Sequence, residues 1–192
     1  MRFFAPVLLL VCISIPAVAE EPEKHGVKLG EWIKRLSSDD VGVRNNAASV
    51  MILFGEKAAP ATEALTTLLA DQNPDVRRHA VTALGEIGPK AKAATETLFK
   101  SAEKDENPTV RAIAGRSLFR VDAGRAKDAA ELLVKFLTDH KTGSDRIIAI
   151  EALGEIGPKA KEALPQLLKV AEAADKKEAD AARQAIKKIE MK

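Results

Sequence analysis

Arg78, Thr82 and Glu86 stand four residues apart, so on a helix they share one face. Shifted by 34 positions that face reads Ala112, Arg116 and Arg120, and shifted by 69 it reads Ile147, Glu151 and Glu155. If copies of one helix stack side by side, Arg120 falls between Glu86 and Glu155, and Arg116 between Thr82 and Glu151. Two kinds of chemistry fit such a face. Opposite charges can brace neighbouring copies as surface ion pairs, each contributing about 0–1 kcal/mol. They can also form a charged groove, varied from copy to copy, that reads a protein or peptide. The two readings are compatible.

Reactive chemistry has less support. The only cysteine, Cys12, lies in the apolar N-terminal run, and no serine sits in a nucleophile-elbow motif. His25, His79 and His140 fall in a tail, on a helix and at a helix end, and none is spaced with Cys, Asp or Glu as metal ligands require. His79 reads as a solvent-facing helix residue. No catalytic residue, cofactor or metal is expected. Gly85-x-x-Gly88 and Gly154-x-x-Gly157 close helices rather than open them, so they are not phosphate loops. Lys90, Lys92, Lys159 and Lys161 read as a solvated edge. Lys176-Lys177 and Lys187-Lys188 are interleaved with Glu178, Asp180 and Glu190, which leaves no basic stripe. Across 192 residues, 30 basic side chains face 28 acidic ones, a balance with no general pull toward nucleic acid or anionic membrane.

The elements that must carry this face follow from a repeat. Residues 83–92 read ALGEIGPKAK and recur letter for letter at 152–161. Val43-Arg44, Val76-Arg77, Val110-Arg111 and Asp145-Arg146 mark looser copies at steps of 33, 34 and 35. A period near 34 means one supersecondary unit stacked on itself. Within a unit, Val76, Ala80, Ala83, Leu84 and Ile87 trace the apolar stripe of a helix. Asn73-Pro74 and Asn107-Pro108 open such helices with a cap and a first-turn proline, and Gly88-Pro89 and Gly157-Pro158 end them. An earlier segment aligns Trp32, Leu65, Leu98, Leu132 and Leu167 in one register. The expected pairs are 29–38 with 41–54, 60–71 with 74–87, 91–105 with 108–121, 126–139 with 144–156, and 162–174 with 177–189. No segment shows the alternation of a strand. An aromatic share of 4% suits a core of Ala, Leu, Ile and Val.

An apolar helix, Asp, a turn and then Val-Arg-x-x-Ala-x-x-x-Leu-Gly resembles the HEAT repeat, in the short variety related to bilin-lyase repeats. The resemblance covers about residues 27–192. It implies an all-α fold, an α-solenoid of about five antiparallel hairpins with second helices on the concave side. It also implies an Asp–Arg ladder between units, carried here by Asp71 with Arg77, Asp105 with Arg111, and Asp139 with Arg146. The third unit departs from the pattern. Phe119 stands where Gly85 and Gly154 sit, and Asp122 where Gly88 and Gly157 sit, which moves the expected helix cap to Gly124.

Arg2, the apolar run Phe3 to Ile15 and Ala17-Val18-Ala19 before Glu20 read as a secretory signal cleaved near Ala19-Glu20. A retained anchor is the alternative, although the run is shorter than the roughly 20 residues of a span. Cys12 follows Val11 rather than a small residue, so lipidation is not expected. The chain then divides into a signal (1–19), an N-terminal tail (20–26) and a HEAT-repeat domain (27–192). The expected function is an exported, periplasmic or extracellular, non-enzymatic scaffold, monomeric, binding a protein or peptide on its concave face. Arg78, Thr82, Glu86, Arg116, Arg120, Glu151 and Glu155 are the expected contacts, with no nucleic acid and no membrane insertion of the mature chain. An auxiliary lyase or chaperone of bilin-lyase type and a purely structural envelope protein are the alternatives.

Overall fold

The computed structural model describes residues 21–141, 143–173 and 175–191. The expected signal segment and its cleavage point lie outside them. The described chain forms five helical hairpins: α1 (Leu29–Arg35) with α2 (Val41–Phe54), α3 (Thr62–Thr67) with α4 (Pro74–Ile87), α5 (Thr95–Lys104) with α6 (Pro108–Val121), α7 (Ala126–Asp139) with α8 (Asp145–Ile156), and α9 (Leu164–Ala171) with α10 (Lys176–Glu190).

Second helices have well-defined ends. Asn73 and Asn107 cap α4 and α6 by accepting from Asp75 N and Val76 N, and from Thr109 N and Val110 N. Gly55, Gly88 and Gly157 end α2, α4 and α8 at φ 53, 67 and 65, a conformation that glycine enters without a Cβ penalty. First helices are less regular than a single helical reading suggests. Three of them begin with seven-residue 3-10 runs, Gly55–Ala61, Gly88–Ala94 and Gly157–Ala163. Each run contains a proline that removes an amide donor. The expected cap at Gly124 does not form. Asp122 ends α6 in an extended conformation and accepts from Gly124 N, opening a 3-10 turn of three residues instead.

A short antiparallel hairpin, β1 (Glu23–Lys24) with β2 (Val27–Lys28), occupies what reads as a tail in sequence. Two residues per strand are too few for alternation to show. Its turn places His25 and Gly26 at φ 55 and 70, the double positive φ of a tight hairpin turn. The hairpin is fastened to α1, with Trp32 Nε1 donating to Lys24 O at 3.2 Å and Gly30 N donating to Glu21 Oε1 at 2.6 Å.

One continuous apolar core runs from Leu29 to Ile189, and Leu84 is fully buried at its middle. The fourth unit is shifted by one residue: Leu133 is buried and Leu132 only half-buried, so the register that places Leu132 with Leu98 is off by one there. Second helices lie directly on one another from α2 to α10, while first helices touch their counterparts far less. Small residues permit the close approach. A Cβ at Gly85 would meet Ser117 Oγ at 2.5 Å, and one at Gly154 would meet Ala185 Cα at 3.0 Å. The more tightly spaced layer takes the inside of the bend, so the second helices line the concave face.

The arginine ladder exists with a different pairing from the expected one. Each arginine donates to main-chain carbonyls of its own unit and sends its side-chain pair forward to the next. Arg77 donates to Asp71 O at 2.8 Å, yet its ion pair is with Asp105 at 2.9 Å. Asp71 instead receives Arg44 at 2.7 Å, and Arg146 reaches Glu178 at 2.8 Å. Among the described residues Arg111 pairs with no carboxylate; its Nη2 lies 2.7 Å from His140 Nε2, while Asp139 is exposed. The one-residue shift in the fourth unit carries His140 into the place that Asp71 and Asp105 hold.

Candidate functional site

The concave face carries three rows of side chains, one residue per second helix. Leu53, Glu86, Arg120, Glu155 and Lys188 form one row, and Ser49, Thr82, Arg116, Glu151 and Gln184 the next. Asn45, Arg78, Ala112, Ile147 and Asp180 form the third.

Arg120 bridges two neighbours as its position predicts. Its Nη1 donates to Glu86 Oε1 at 2.5 Å and its Nε to Glu155 Oε1 at 2.5 Å. Arg116 behaves differently. It stands one turn behind Arg120 and donates from Nε to Glu155 Oε2 at 2.8 Å, so it does not link Thr82 to Glu151. Glu155 therefore receives both arginines of α6. Burial pushes its carboxyl up, but the hydrogen bonds from Arg120 and Arg116 outweigh it and hold the group below the usual carboxylate range. Burial likewise disfavours the charge on Arg120, and Glu155 and Glu86 more than compensate, which raises its pKa. These side chains remain a quarter to two-fifths exposed, so they face solvent while paired.

The other expected contacts separate from this cluster. Arg78 pairs with Asp75 on its own helix at 3.1 Å, and Thr82 donates to Arg78 O at 2.8 Å. Ala112 is fully buried, so the Arg78 row has no polar reach on α6. Glu151 points away from the arginines and lines a hollow of about 380 Å³ between α8 and α10. Lys177, Asp180, Gln184 and Lys188 complete its polar rim, above a floor of Ile147, Gly154, Ala181 and Ala185. The α10 side of this surface was legible in the sequence: adding 33 to Glu151 and Glu155 gives Gln184 and Lys188. Among the described residues, no ion pair engages Glu151, Lys177 or Lys188.

His79 is not a solvent-facing residue. It is half-buried, and its Nδ1 lies 2.7 Å from Asn45 Oδ1 of the preceding unit. An amide oxygen only accepts, so Nδ1 carries the proton. Burial, with Arg78 beside it, lowers the pKa of the ring. The edge lysines Lys90 and Lys92 reach Glu56 at 3.1 Å and Asp122 at 3.7 Å across the unit boundaries. No three His, Cys, Asp or Glu side chains gather as a metal site among the described residues. No described helix is long and apolar enough to cross a membrane.

A family profile described as HEAT repeats matches residues 29–119 and, overlapping them, 95–187. The chain belongs to the HEAT-repeat family. As a HEAT-repeat protein it is similar to a chain from the complex of CpcE and CpcF of phycocyanin lyase from Nostoc sp. PCC7120, with a TM-score of 0.71 and 27% identity over 92% of this chain and 71% of that one. An engineered protein gives a TM-score of 0.64 at 23% identity, covering 84% of this chain and 78% of its own. A designed armadillo repeat protein in complex with the peptide (KR)4 gives 0.59 at 20% identity, over 84% of this chain and 81% of its own. The last two likenesses concern the fold alone. The sequence matches no curated protein.

Proposed function

We propose that this HEAT-repeat protein is an exported, non-enzymatic scaffold that binds a protein or peptide segment along its concave face. The observation that supports it most is the hollow between α8 and α10, where Glu151, Lys177 and Lys188 stand charged, exposed and outside any ion pair among the described residues. Charges that only braced the stack would be satisfied by neighbouring units, as Arg120 and Glu155 are. Beside the hollow, Arg116, Arg120 and Glu155 extend the polar surface toward Glu86, Thr82 and Arg78. A segment lying across the second helices would meet a different side chain at each unit, which gives specificity without any reactive group.

The test pairs two double variants. Arg116→Glu with Arg120→Glu reverses the inner face, and Lys90→Glu with Lys92→Glu reverses the edge. Once circular dichroism shows both folded, pull-down from the envelope fraction should lose a specific protein with the first pair only. Equal yield with both would reject the concave-face reading and leave the arginines as braces. Export carries its own test: the mature N-terminus should be Glu20 by mass analysis, and a full-length cytoplasmic chain retaining Met1 would overturn it.

The likeness to the chain from phycocyanin lyase favours a second reading, an auxiliary lyase or chaperone acting on a chromophore-bearing protein. Incubating the protein with a bilin separates the two. Visible absorbance that stays with the protein through gel filtration supports this reading, and its absence supports the scaffold.

A further inference from the structure

Residues 83–92 and 152–161 carry the same ten letters, so each copy is a control for the other. In the first copy both lysines are engaged. Lys90 pairs with Glu56 of the preceding turn at 3.1 Å, and Lys92 with Asp122 at 3.7 Å. In the second copy Ala123 holds the place of Glu56, and Lys159 donates to its carbonyl at 3.3 Å. Lys161 enters no ion pair among the described residues, although Glu190 stands where Asp122 serves Lys92. Two cations that are ion-paired in one copy are outside any ion pair in the other.

The backbone around them differs as well. Gly88–Ala94 lies against Gly55–Ala61, one 3-10 run upon another. Before α7 the chain has only the three residues Ala123–Arg125, so Gly157–Ala163 rests on α7 itself. The place of the missing run stays open on the outer side as two joined hollows. One is about 430 Å³ and the other about 290 Å³, and they share Lys127, Lys159 and Glu162. The larger is the charged end, rimmed by Lys127, Lys159 and Lys161. The smaller runs along α7 over an apolar floor of Ala130, Val134 and Ala163. Glu131 and Lys135 stand one turn apart on its wall and offset each other. Glu162 faces Lys127 at 3.8 Å, which leaves Lys159 and Lys161 as the uncompensated charges.

We propose that the trough between α7 and Gly157–Ala163 binds a single-chain anionic amphiphile. Its head lies between Lys159 and Lys161, and its tail over Ala130, Val134 and Ala163. A hollow of roughly 300 Å³ or more, apolar along its length with a few charged groups at one end, is the form of a small-molecule site. An acidic peptide fits it less well. Its amide groups would lie over an alanine and valine floor that offers them no hydrogen bond, whereas an alkyl tail has none to satisfy. A bilayer is flat and cannot follow the trough inward. From Lys127 to Val134 the floor is about 10 Å long at 1.5 Å per residue, which limits the useful length of the tail. The site is on the outer side and stands whether or not the concave face binds a partner.

Decanoate, kept below its micelle-forming concentration, is the probe. Titrated into the full chain with labelled alanine and valine methyl groups, it should shift Ala130, Val134 and Ala163 together and saturably in NMR spectra. Octanoate should bind more weakly, by up to about fourfold for each methylene lost. Decyltrimethylammonium has the same tail and the opposite charge, and should leave these methyls unmoved. Lys159→Glu with Lys161→Glu should weaken decanoate binding about tenfold, the equivalent of one hydrogen bond to a charged group. Lys90→Glu with Lys92→Glu, the same change in the other copy, should not. Methyls that decanoate fails to move, or equal losses in the two double variants, overturn the site. Shifts seen only with phosphatidylglycerol vesicles, or only with a glutamate-rich peptide, overturn it in favour of a lipid surface or a partner segment.

Discussion

His79 shows how one buried ring ties stability to pH. Burial, helped by Arg78, lowers its pKa, so on acidification the unfolded chain takes up the proton first. The stability that neutral His79 supplies is therefore complete above about pH 6.5 and declines as pH falls below it. Urea midpoints at neutral and mildly acid pH should draw apart more for the wild type than for His79→Gln, and equal separations would reject the assignment. Glu155 acts with the same sign, in a more acid range. Its carboxyl is held low, so its contribution is present above about pH 4.5 and disappears as pH falls through its lowered folded value. Glu155→Gln should thus weaken the fold at neutral pH and bring it closer to the wild type in strong acid. The deepest ion pair, Arg77 with Asp105, is only 7% and 6% exposed. Removing the carboxylate with Asp105→Ala leaves a buried guanidinium, offset only in part by the exposed Glu106, and should cost about 3–5 kcal/mol. Removing either partner of the exposed pair of Lys34 with Glu31 should leave the midpoint of the same urea melts essentially unmoved.

On the scale of one helix, the repeat was largely legible before any coordinates. Asn73 and Asn107 cap where expected, Gly88 and Gly157 turn where expected while Gly124 does not, and Leu84 is the central buried residue. What the letters did not show has physical causes. A two-residue strand has no period, so the hairpin at Glu23 to Lys28 was invisible. The ladder pairing was misread because sequence spacing measures distance along the chain, whereas Arg77 reaches out of its own hairpin to Asp105. Letter matching also passed over the slip at Leu133, because Leu132 is equally apolar. The candidate face was half legible: the Arg120 bridge follows from stacking alone, but Arg116 had two glutamates within reach and nothing in the spacing chose Glu155. Two substitutions check the assigned faces. Leu84→Ala should cost about 2–5 kcal/mol through lost burial and a residual cavity, and Lys188→Ala about 0.5 kcal/mol or less. Gly85→Ala would stabilise an isolated helix by about 1 kcal/mol, yet here the new Cβ meets Ser117 at backbone-setting distance. Destabilisation is expected, and a higher melting temperature would show that α4 and α6 can part more easily than described.

For the molecule as a whole, a stack of near-identical units has no intrinsic length. Where an end offers the next copy a surface shaped like an internal joint, head-to-tail addition of further chains is the growth mode of an open filament. At one end α10 presents Arg183, Lys187 and Glu190, charged groups that an apolar joint would have to desolvate. At the other end Val43 is 38% exposed where its counterpart Val76 is fully buried, so this joint is only partly closed. The hairpin from Glu23 to Lys28, laid across α1 and α2, is what stands in the way of an incoming copy. Its role would then be that of a chain terminator, in the polymer chemist's sense. Deleting residues 21–28 should turn a species of constant mass into one whose light scattering rises with concentration. A truncated chain that stays monomeric would mean that the ends are already mismatched without the hairpin.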